Sequence, residues 1–309
     1  MSAMFGSLLP WFKLVRLPNL LTVPGDPAAG FLLASAGQPQ SPGLLALAAA
    51  AGASLCLYAF GLILNDLMDL ETDLRERPER PLPAGEITAP QARMAAIAMA
   101  LSGLNLALAA GRPALFVAAA LAAVIVLYNA LLKRLPGAGI AALGACRGLS
   151  LVLGAVAARP ELFSRPGSAA VWVAAGGLTL YVAGFSAVAK REMDPEKPLG
   201  AARWTPFAAL LPTLLALICV VTAQKRLEGL AAMVYVFLMV MTLMRAWLLG
   251  GLLYRLQPVP ATVGGHIRNL LMVQGCFCLA AGSTGLCPAV LLVVLSAVFA
   301  RLSKRFYSS

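Results

Sequence analysis

The sequence predicts an all-α, polytopic membrane protein built as one helical bundle. Of its 309 residues, 60% are hydrophobic and only 12% are charged, about half the charged fraction of an ordinary soluble domain. The mean hydropathy is +0.84. So little charge cannot cover the surface of a water-soluble protein of this length, which argues against a soluble enzyme.

Apolar segments long enough to cross a bilayer, about 20 residues each, occur ten times. Alternating strands of about 10 residues, as in a membrane β-barrel, are not visible, so each segment is predicted to be a helix. All ten are assigned to a single transmembrane domain over residues 1–309. The predicted spans are 14–35, 43–66, 89–110, 113–132, 138–157, 168–189, 204–223, 229–253, 266–283 and 286–302.

The basic residues between these spans predict the orientation. Seventeen lie in one alternating set of gaps and tails: Lys13, Arg16, Arg75, Arg77, Arg80, Arg93, Lys133, Arg134, Lys190, Arg191, Lys197, Arg203, Arg255, Arg268, Arg301, Lys304 and Arg305. Five lie in the other set: Arg112, Arg159, Arg165, Lys225 and Arg226. The positive-inside rule places the first set, and both termini, in the cytoplasm. The net charge of +11 therefore reflects topology, and no nucleic-acid partner is expected.

Acidic residues cluster where the second span ends. At about 100° per residue, Asp66, Asp69 and Asp73 fall on one helix face, with Asn65 beside them. Carboxylates so close repel one another unless a cation neutralises them, and oxygen ligands without His or thiolate favour Mg²⁺ or Ca²⁺. The alternative is a solvated charged loop that only sets topology.

The same loop carries arginines that can bind phosphate oxygens in a forked geometry. A ligand with a phosphate head and a long hydrocarbon tail, such as a prenyl diphosphate, fits a charged loop at the opening of an apolar bundle. Aromatic rings near the inner ends of spans can face such a tail, although anchoring of the helices at the interface is the more common role of such residues. They are Tyr128, Tyr181, Phe185 and Trp204.

At this point the residues resemble the UbiA superfamily of intramembrane prenyltransferases. Its NDxxDxxxD signature is matched by Asn65, Asp66, Asp69 and Asp73, and the following stretch 80–88 is similar to its RPLPxGxIS sequence. Further family-like stretches are 16–19 and 128–134. Residues 144–148 and 181–184 look like a divergent bacterial branch associated with ebo gene clusters.

The resemblance implies nine helices around a central cavity, with two aspartate-rich motifs that bind Mg²⁺ and a prenyl diphosphate. The implied enzyme is a transferase of alkyl groups other than methyl, acting on an aromatic or other lipophilic acceptor in a bacterial inner membrane, with the active-site loops in the cytoplasm. Its catalytic and metal-binding residues are Asn65, Asp66, Asp69, Asp73 and Asp194. Its candidate substrate-binding residues are Arg16, Asn19, Asn65, Arg75, Arg80, Tyr128, Lys133 and Lys190. Asp26 either lines the cavity or satisfies backbone groups near Pro24 and Pro27.

The chain departs from the family in two places. Lys190 stands where the second motif, DxxxD, has its first aspartate, while Asp194 provides the last. Lys190 either replaces part of the charge of a second metal ion or simply marks the membrane boundary. The tenth predicted span also exceeds the usual nine. A non-catalytic carrier that binds polyprenyl lipids is therefore the alternative to an enzyme.

Overall fold

The described part of the chain, residues 2–38, 43–135, 137–164, 169–190, 200–251 and 259–306 of a computed structural model, consists of helices joined by turns and loops. The helices are α1 (Ser2–Leu14), α2 (Leu17–Leu20), α3 (Gly25–Ser35), α4 (Leu44–Met68), α5 (Leu70–Glu76), α6 (Ala89–Ala110), α7 (Arg112–Ala130), α8 (Ala138–Ala158), α9 (Ala169–Lys190), α10 (Thr205–Ala223), α11 (Gly229–Gly250), α12 (Val259–Leu279) and α13 (Leu286–Phe306). Short 3₁₀ turns at Leu132–Arg134, Gly200–Trp204 and Ser283–Gly285 precede α8, α10 and α13.

Eight helical segments of the described residues are long and apolar enough to cross a membrane. They are α4, α6 to α11, and α13, with α10 and α13 including the 3₁₀ turns before them. The all-α, polytopic membrane bundle predicted from the sequence is thus confirmed. α12 has 21 residues, but His266, Arg268, Asn269 and Gln274 lower its hydropathy, which explains why it falls outside the eight.

The first predicted span, 14–35, is not a continuous helix, so this prediction is wrong. α2 ends at Leu20 and α3 begins only at Gly25. Pro24, just before α3, cannot donate a backbone hydrogen bond and favours a break. Arg16, which precedes α2, has a φ of 48°, a left-handed conformation uncommon outside glycine. α3 has 11 residues, about 16 Å of helix, and is too short to cross the bilayer alone.

The helices form a ring that closes through α3, which packs against both α12 and α4. α4 packs against α6 and α7, α7 against α8, and each helix from α8 to α11 against the next. α12 closes the ring by packing against α11, α9 and α3, while α3 also contacts α4, α8 and α9. α13 packs against α12 and α2, on the outside of this ring.

Two glycines allow the central helices α3 and α8 to approach closely. A Cβ atom at Gly30 would overlap the carbonyl of Leu151, and one at Gly154 would overlap the carbonyl of Pro27. Small residues permit such backbone contact between membrane helices. The contact brings the start of α3, including Asp26, against the middle of α8.

The loop after α5 is held down by its own apolar residues. Leu82 and Ile87 are buried in a small cluster with Leu14 and Ile63. The loop ends at Thr88, which caps α6 in a reciprocal pair with Gln91: the Thr88 N–H donates to Gln91 Oε1 at 2.9 Å, and the Gln91 N–H donates to Thr88 Oγ1 at 3.4 Å. Arg80 is therefore presented from a fixed loop.

Candidate functional site

A cavity of about 320 Å³ lies within the ring of helices, between α4, α7, α8, α9 and the segment that joins α1 to α3. Its volume falls at the lower end of the range for small-molecule sites, roughly 300–1,000 Å³. Arg16 and Asn65 line one end, which we call the mouth, where α4 reaches its last turn. Most of the remaining wall is apolar, as expected for a site that receives a hydrocarbon chain.

Arg80 joins two of the three predicted carboxylates at the mouth. Its Nη1 lies 2.6 Å from Asp73 Oδ2 and 3.7 Å from Asp66 Oδ1. Both carboxylates are largely buried, with 5% and 8% of the side chain exposed. Asp66 has a second cationic neighbour, Arg16, at 3.8 Å, and the Asn65 amide lies 3.5 Å from it. Asp66 and Asp73 thus converge on one shared positive charge.

Asp69, the third carboxylate, is bound from another helix. The Lys133 ammonium lies 2.5 Å from Asp69 Oδ1, and Lys133 belongs to the 3₁₀ turn that follows α7. Within the part of the chain that the structure describes, no three acidic, histidine or cysteine side chains form a group that can hold a metal ion. The predicted cluster is therefore present as three paired carboxylates.

The charges at the mouth balance. Three carboxylates, those of Asp66, Asp69 and Asp73, face three cations that contact them, Arg16, Arg80 and Lys133. Arg80 occupies the point between Asp66 and Asp73, where two oxygen ligands meet a cation. Paired carboxylate oxygens are also the ligands that Mg²⁺ prefers, so the donor set fits Mg²⁺ if the arginine moves away.

The other predicted site residues divide into two groups. Asn19, Asn65 and Tyr128 line the cavity. Arg75 and Lys190 are exposed, and Asp194 lies outside the described residues. Of the aromatic candidates, Tyr128 and Phe185 line the cavity. Tyr181 is fully buried, where its hydroxyl donates to the His266 carbonyl at 3.1 Å, and the Trp204 ring lies 6.0 Å from that of Trp247.

A second charged group, deeper in the bundle, contains Arg147, which was assigned no role from the sequence, and Asp26, which was expected to line the cavity or to satisfy backbone groups. Arg147 Nε lies 2.8 Å from Asp26 Oδ2, and the residues are 8% and 0% exposed in their side chains. The sequence did contain an indication of this pair, because charged residues inside membrane spans usually pair with one another and often mark functional sites. Asp26 was placed in the first predicted span and Arg147 in the fifth, but no local spacing connects them.

The UbiA prenyltransferase family matches residues 27–258 of the chain. Among curated relatives, the digeranylgeranylglyceryl phosphate synthase of Ignicoccus hospitalis is 38% identical over 124 residues, which cover 40% of this chain and 38% of that protein. The synthase of the same name from Saccharolobus solfataricus is 29% identical over 151 residues, covering 49% of this chain and 52% of that protein. The chain therefore spans about half or less of these relatives.

Solved structures show the same fold. A UbiA homolog from Aeropyrum pernix K1 has a TM-score of 0.66 at 21% identity and covers 84% of this chain and 96% of that one. A UbiA homolog from Archaeoglobus fulgidus bound to DMAPP and Mg²⁺ has a TM-score of 0.60 at 17% identity, covering 85% and 98%. The arrangement of the helices is thus shared with these proteins.

Proposed function

Because this chain belongs to the UbiA prenyltransferase family, we propose that it transfers a prenyl group from a prenyl diphosphate to an aromatic or other lipophilic acceptor within the membrane. The observation that carries this proposal is the set of three carboxylate–cation pairs at the mouth of an apolar cavity. Mg²⁺ is proposed as the cofactor, held by Asn65, Asp66, Asp69 and Asp73 together with Asp194.

The paired charges at the mouth provide both halves of a binding site for a magnesium diphosphate. In the free protein the cations and carboxylates neutralise one another. When substrate binds, the carboxylates are free to contact the metal while Arg16, Arg80 and Lys133 contact phosphate oxygens, which arginine and lysine bind well. Such an exchange of partners leaves no buried charge uncompensated.

The cavity below the mouth accepts the hydrocarbon tail of the donor. Apolar lining residues such as Leu62, Leu121 and Ile125 remove water from the reacting carbon, and the rings of Tyr58 and Tyr128 offer faces that stabilise positive charge. The names of the synthases from Ignicoccus hospitalis and Saccharolobus solfataricus make geranylgeranyl diphosphate the first donor to test.

The proposed reaction breaks the bond between the first prenyl carbon and the diphosphate oxygen, and the diphosphate leaves with the bonding electrons. Mg²⁺, when bound, neutralises the charge that develops on the diphosphate. The nucleophilic atom of the acceptor then forms a bond to the same carbon, and the acceptor loses a proton to the departing diphosphate. Arg80 and Lys133 hold the diphosphate during this step.

We further propose a ten-span topology for the single domain 1–309. α12 and the first segment, in which the short helices α2 and α3 follow one another, complete the eight longer segments. Both termini and the loops at 67–88 and 189–203 then face the cytoplasm, as the distribution of basic residues predicts. We also propose that the protein lies in the inner membrane of a bacterium and that it belongs to the branch associated with ebo gene clusters.

Purified full-length protein tests the proposed activity. We expect geranylgeranyl diphosphate to bind in the presence of Mg²⁺, and binding to weaken strongly when the metal is removed with a chelator. Incubation with a lipid extract should release diphosphate and yield prenylated products detectable by mass spectrometry. Tight binding without any released diphosphate would support the alternative, a carrier of polyprenyl lipids.

A further inference from the structure

We propose that Arg147 forms the subsite that selects the acceptor, and that it binds a neutral oxygen, a hydroxyl or a carbonyl, rather than an anionic group. This inference rests on the proposed function, because it concerns the second substrate of the same cavity. It assigns a substrate class that the sequence left open. The argument depends on the contacts of Arg147, on its position in the cavity wall and on the charge of its partners.

Asp26 holds the Arg147 guanidinium in a fixed orientation. The Nε atom lies 2.8 Å from Asp26 Oδ2, and Nη2 donates to the Thr22 carbonyl at 2.8 Å. Gln274, from α12, donates to Asp26 Oδ1 at 2.6 Å and to the Thr22 carbonyl at 2.7 Å. The guanidinium is therefore oriented by Asp26 from α3 and by Thr22 from the segment before α3, and Gln274 from α12 holds both of these groups in place. A simple ion pair between two helices would not require these additional hydrogen bonds.

One amino group of Arg147 is left for a ligand. Nη2 donates to Thr22 and to Asp26 Oδ1, and Nε faces Asp26 Oδ2, whereas none of these contacts uses Nη1. Arg147 is only 7% exposed, yet it lines the cavity, with its guanidinium carbon 5.9 Å from the centre of the Tyr58 ring. A cavity ligand that accepts a hydrogen bond from Nη1 therefore gains a charge-assisted hydrogen bond.

Two hydroxyls in the same cavity favour a neutral group that can also donate. Ser54 Oγ lies 2.6 Å from Ser150 Oγ, and both residues line the cavity with Arg147. A pair of hydroxyls that share one hydrogen bond still has unused lone pairs. A hydroxyl of the acceptor can therefore accept from Arg147 and donate to a serine.

The charge of the subsite argues against a carboxylate or phosphate. Arg147 and Asp26 carry opposite formal charges, and the third member, Gln274, is neutral, so the group has no net charge. An anion bound beside Asp26 would add an uncompensated negative charge in a medium of low polarity, which is unfavourable. A neutral oxygen uses the free amino group without that cost.

The depth of the subsite limits the size of the acceptor. Tyr58, which lies under Arg147, precedes Asn65 at the mouth by seven positions of α4, about two turns or 10 Å of helix. The acceptor must place its neutral oxygen at Arg147 while its nucleophilic atom reaches the donor carbon within that interval. Compact acceptors satisfy this condition better than acceptors with a polar group at the far end of a long chain.

The test compares probes that differ only in charge, titrated calorimetrically into the full-length protein with Mg²⁺ and geranylgeranyl diphosphate. One pair is a phenol with a para carboxylate and its methyl ester, and the other is a geranylgeranyl glycerol ether with and without a phosphate. We expect each neutral probe to bind about tenfold to a hundredfold more tightly than its anionic partner, because the anion adds an uncompensated negative charge beside Asp26. Equal affinities, or a preference for the anions, would overturn the proposal.

Two variants assign the selectivity to this group. Arg147→Met should weaken binding of the neutral probes about tenfold, because their oxygen loses a charge-assisted hydrogen bond, whereas Asp26→Asn should reverse the preference for neutral probes, because the positive charge of the guanidinium is then no longer neutralised. Arg226→Met, which removes a half-buried arginine outside the cavity wall, is the matched control and should keep the parental preference. An Arg147→Met protein that binds the neutral probes as tightly as the parent would show that the pair only holds α3 against α8, and would overturn the proposal.

Binding of the donor keeps the two proposals distinguishable. Each variant is first titrated with geranylgeranyl diphosphate and Mg²⁺, and parental donor affinity shows that the protein is folded. If either single variant does not fold, Asp26→Asn combined with Arg147→Gln removes both charges together and should bind neutral probes with little discrimination. A parent protein that does not bind the donor would refute the proposed function. A parent protein that binds the donor but does not prefer the neutral probes would refute only this inference.

Discussion

Lys133 Nζ lies 2.5 Å from Asp69 Oδ1, so the turn after α7 is tied to the junction between α4 and α5. This ion pair explains why Asp69 does not join the other two carboxylates around Arg80. It also shows how a cationic side chain can neutralise a carboxylate when no metal ion is bound to it. The mouth therefore consists of ion pairs whose members can exchange partners. Replacing a carboxylate and replacing a cation should consequently have different effects.

Removing Asp66 or Asp69 should abolish donor binding. Asp66→Ala and Asp69→Ala each delete an oxygen ligand and leave Arg16 or Lys133 without its partner, so we expect Mg²⁺-dependent affinity for geranylgeranyl diphosphate to fall by at least about 10–100-fold. Equilibrium titration in detergent measures the loss. Glu76→Ala, an exposed carboxylate of α5, serves as control and should bind normally. Unchanged binding in both aspartate variants would leave only a charged loop that sets topology.

Arg80→Met should affect metal and donor in opposite directions. Arg80 competes with a metal ion for Asp66 and Asp73, so its removal should strengthen Mn²⁺ binding to the free protein about fivefold, the equivalent of a partly exposed ion pair. Donor affinity should fall about tenfold, because a phosphate contact is lost. Electron paramagnetic resonance of Mn²⁺ and donor titration measure the two effects. Arg77→Met, at an exposed position, should change neither; a parallel decrease of both affinities would contradict the exchange of partners.

Lys190 separates two explanations of the altered second motif. If its ammonium replaces part of a metal's charge, Lys190→Ala should weaken donor binding, and Lys190→Asp should raise the Mg²⁺ requirement towards two ions. Titration of donor affinity against Mg²⁺ concentration gives both results. Lys13→Ala removes another exposed lysine and should have no effect. A Lys190→Ala protein that binds donor like the parent would mean that Lys190 only marks the membrane boundary.

The proposed ten-span topology predicts that both chain ends are cytoplasmic. Alkaline phosphatase fused after Arg305 should be inactive, and a fluorescent reporter at the same place should be active. Fusions after Lys225, in the opposite set of loops, provide the reciprocal control. A periplasmic signal after Arg305 would require an odd number of spans.

Gly154→Ala should destabilise the protein by about 1–3 kcal/mol, as overpacked cores do. Its Cβ would overlap the Pro27 carbonyl and push α3 away from α8. Thermal unfolding in detergent measures the effect. Gly176→Ala is the matched control, because nothing lies within 4 Å of the Cβ that it adds. Equal unfolding temperatures for the two variants would show that α3 and α8 separate without cost.

The local pattern of the sequence predicted the acidic mouth well. The helical spacing correctly grouped Asp66 with Asp73, although the helix breaks between them. The Asp69 N–H donates to the Asn65 carbonyl at 3.0 Å and the Asp73 N–H to the Asp69 carbonyl at 2.8 Å. These bonds continue the helical register across the break, which is why an argument from periodicity succeeded.

The tertiary pairs could not be predicted in the same way. Lys133, which binds Asp69, lies 64 residues from it in the sequence. Arg147 and Asp26 are separated by 121 residues. Hydropathy also merged α2 and α3 into one span, because the residues between them are mostly apolar. Only the packing of α3 against α8 shows why a short helix with a buried carboxylate is stable there.

The pairing of Asp26 with Arg147 has a consequence for biosynthesis. An aspartate within a membrane segment disfavours insertion, and α3, with Asp26 in its first turn, leaves the ribosome long before its partner in α8. The nascent α3 is thus a poor membrane segment until α8 follows, and Gln274 arrives only with α12. We therefore expect the start of the chain to remain at the translocon or at the membrane interface at first. It should insert into the bilayer only when α8 is available to pack against it.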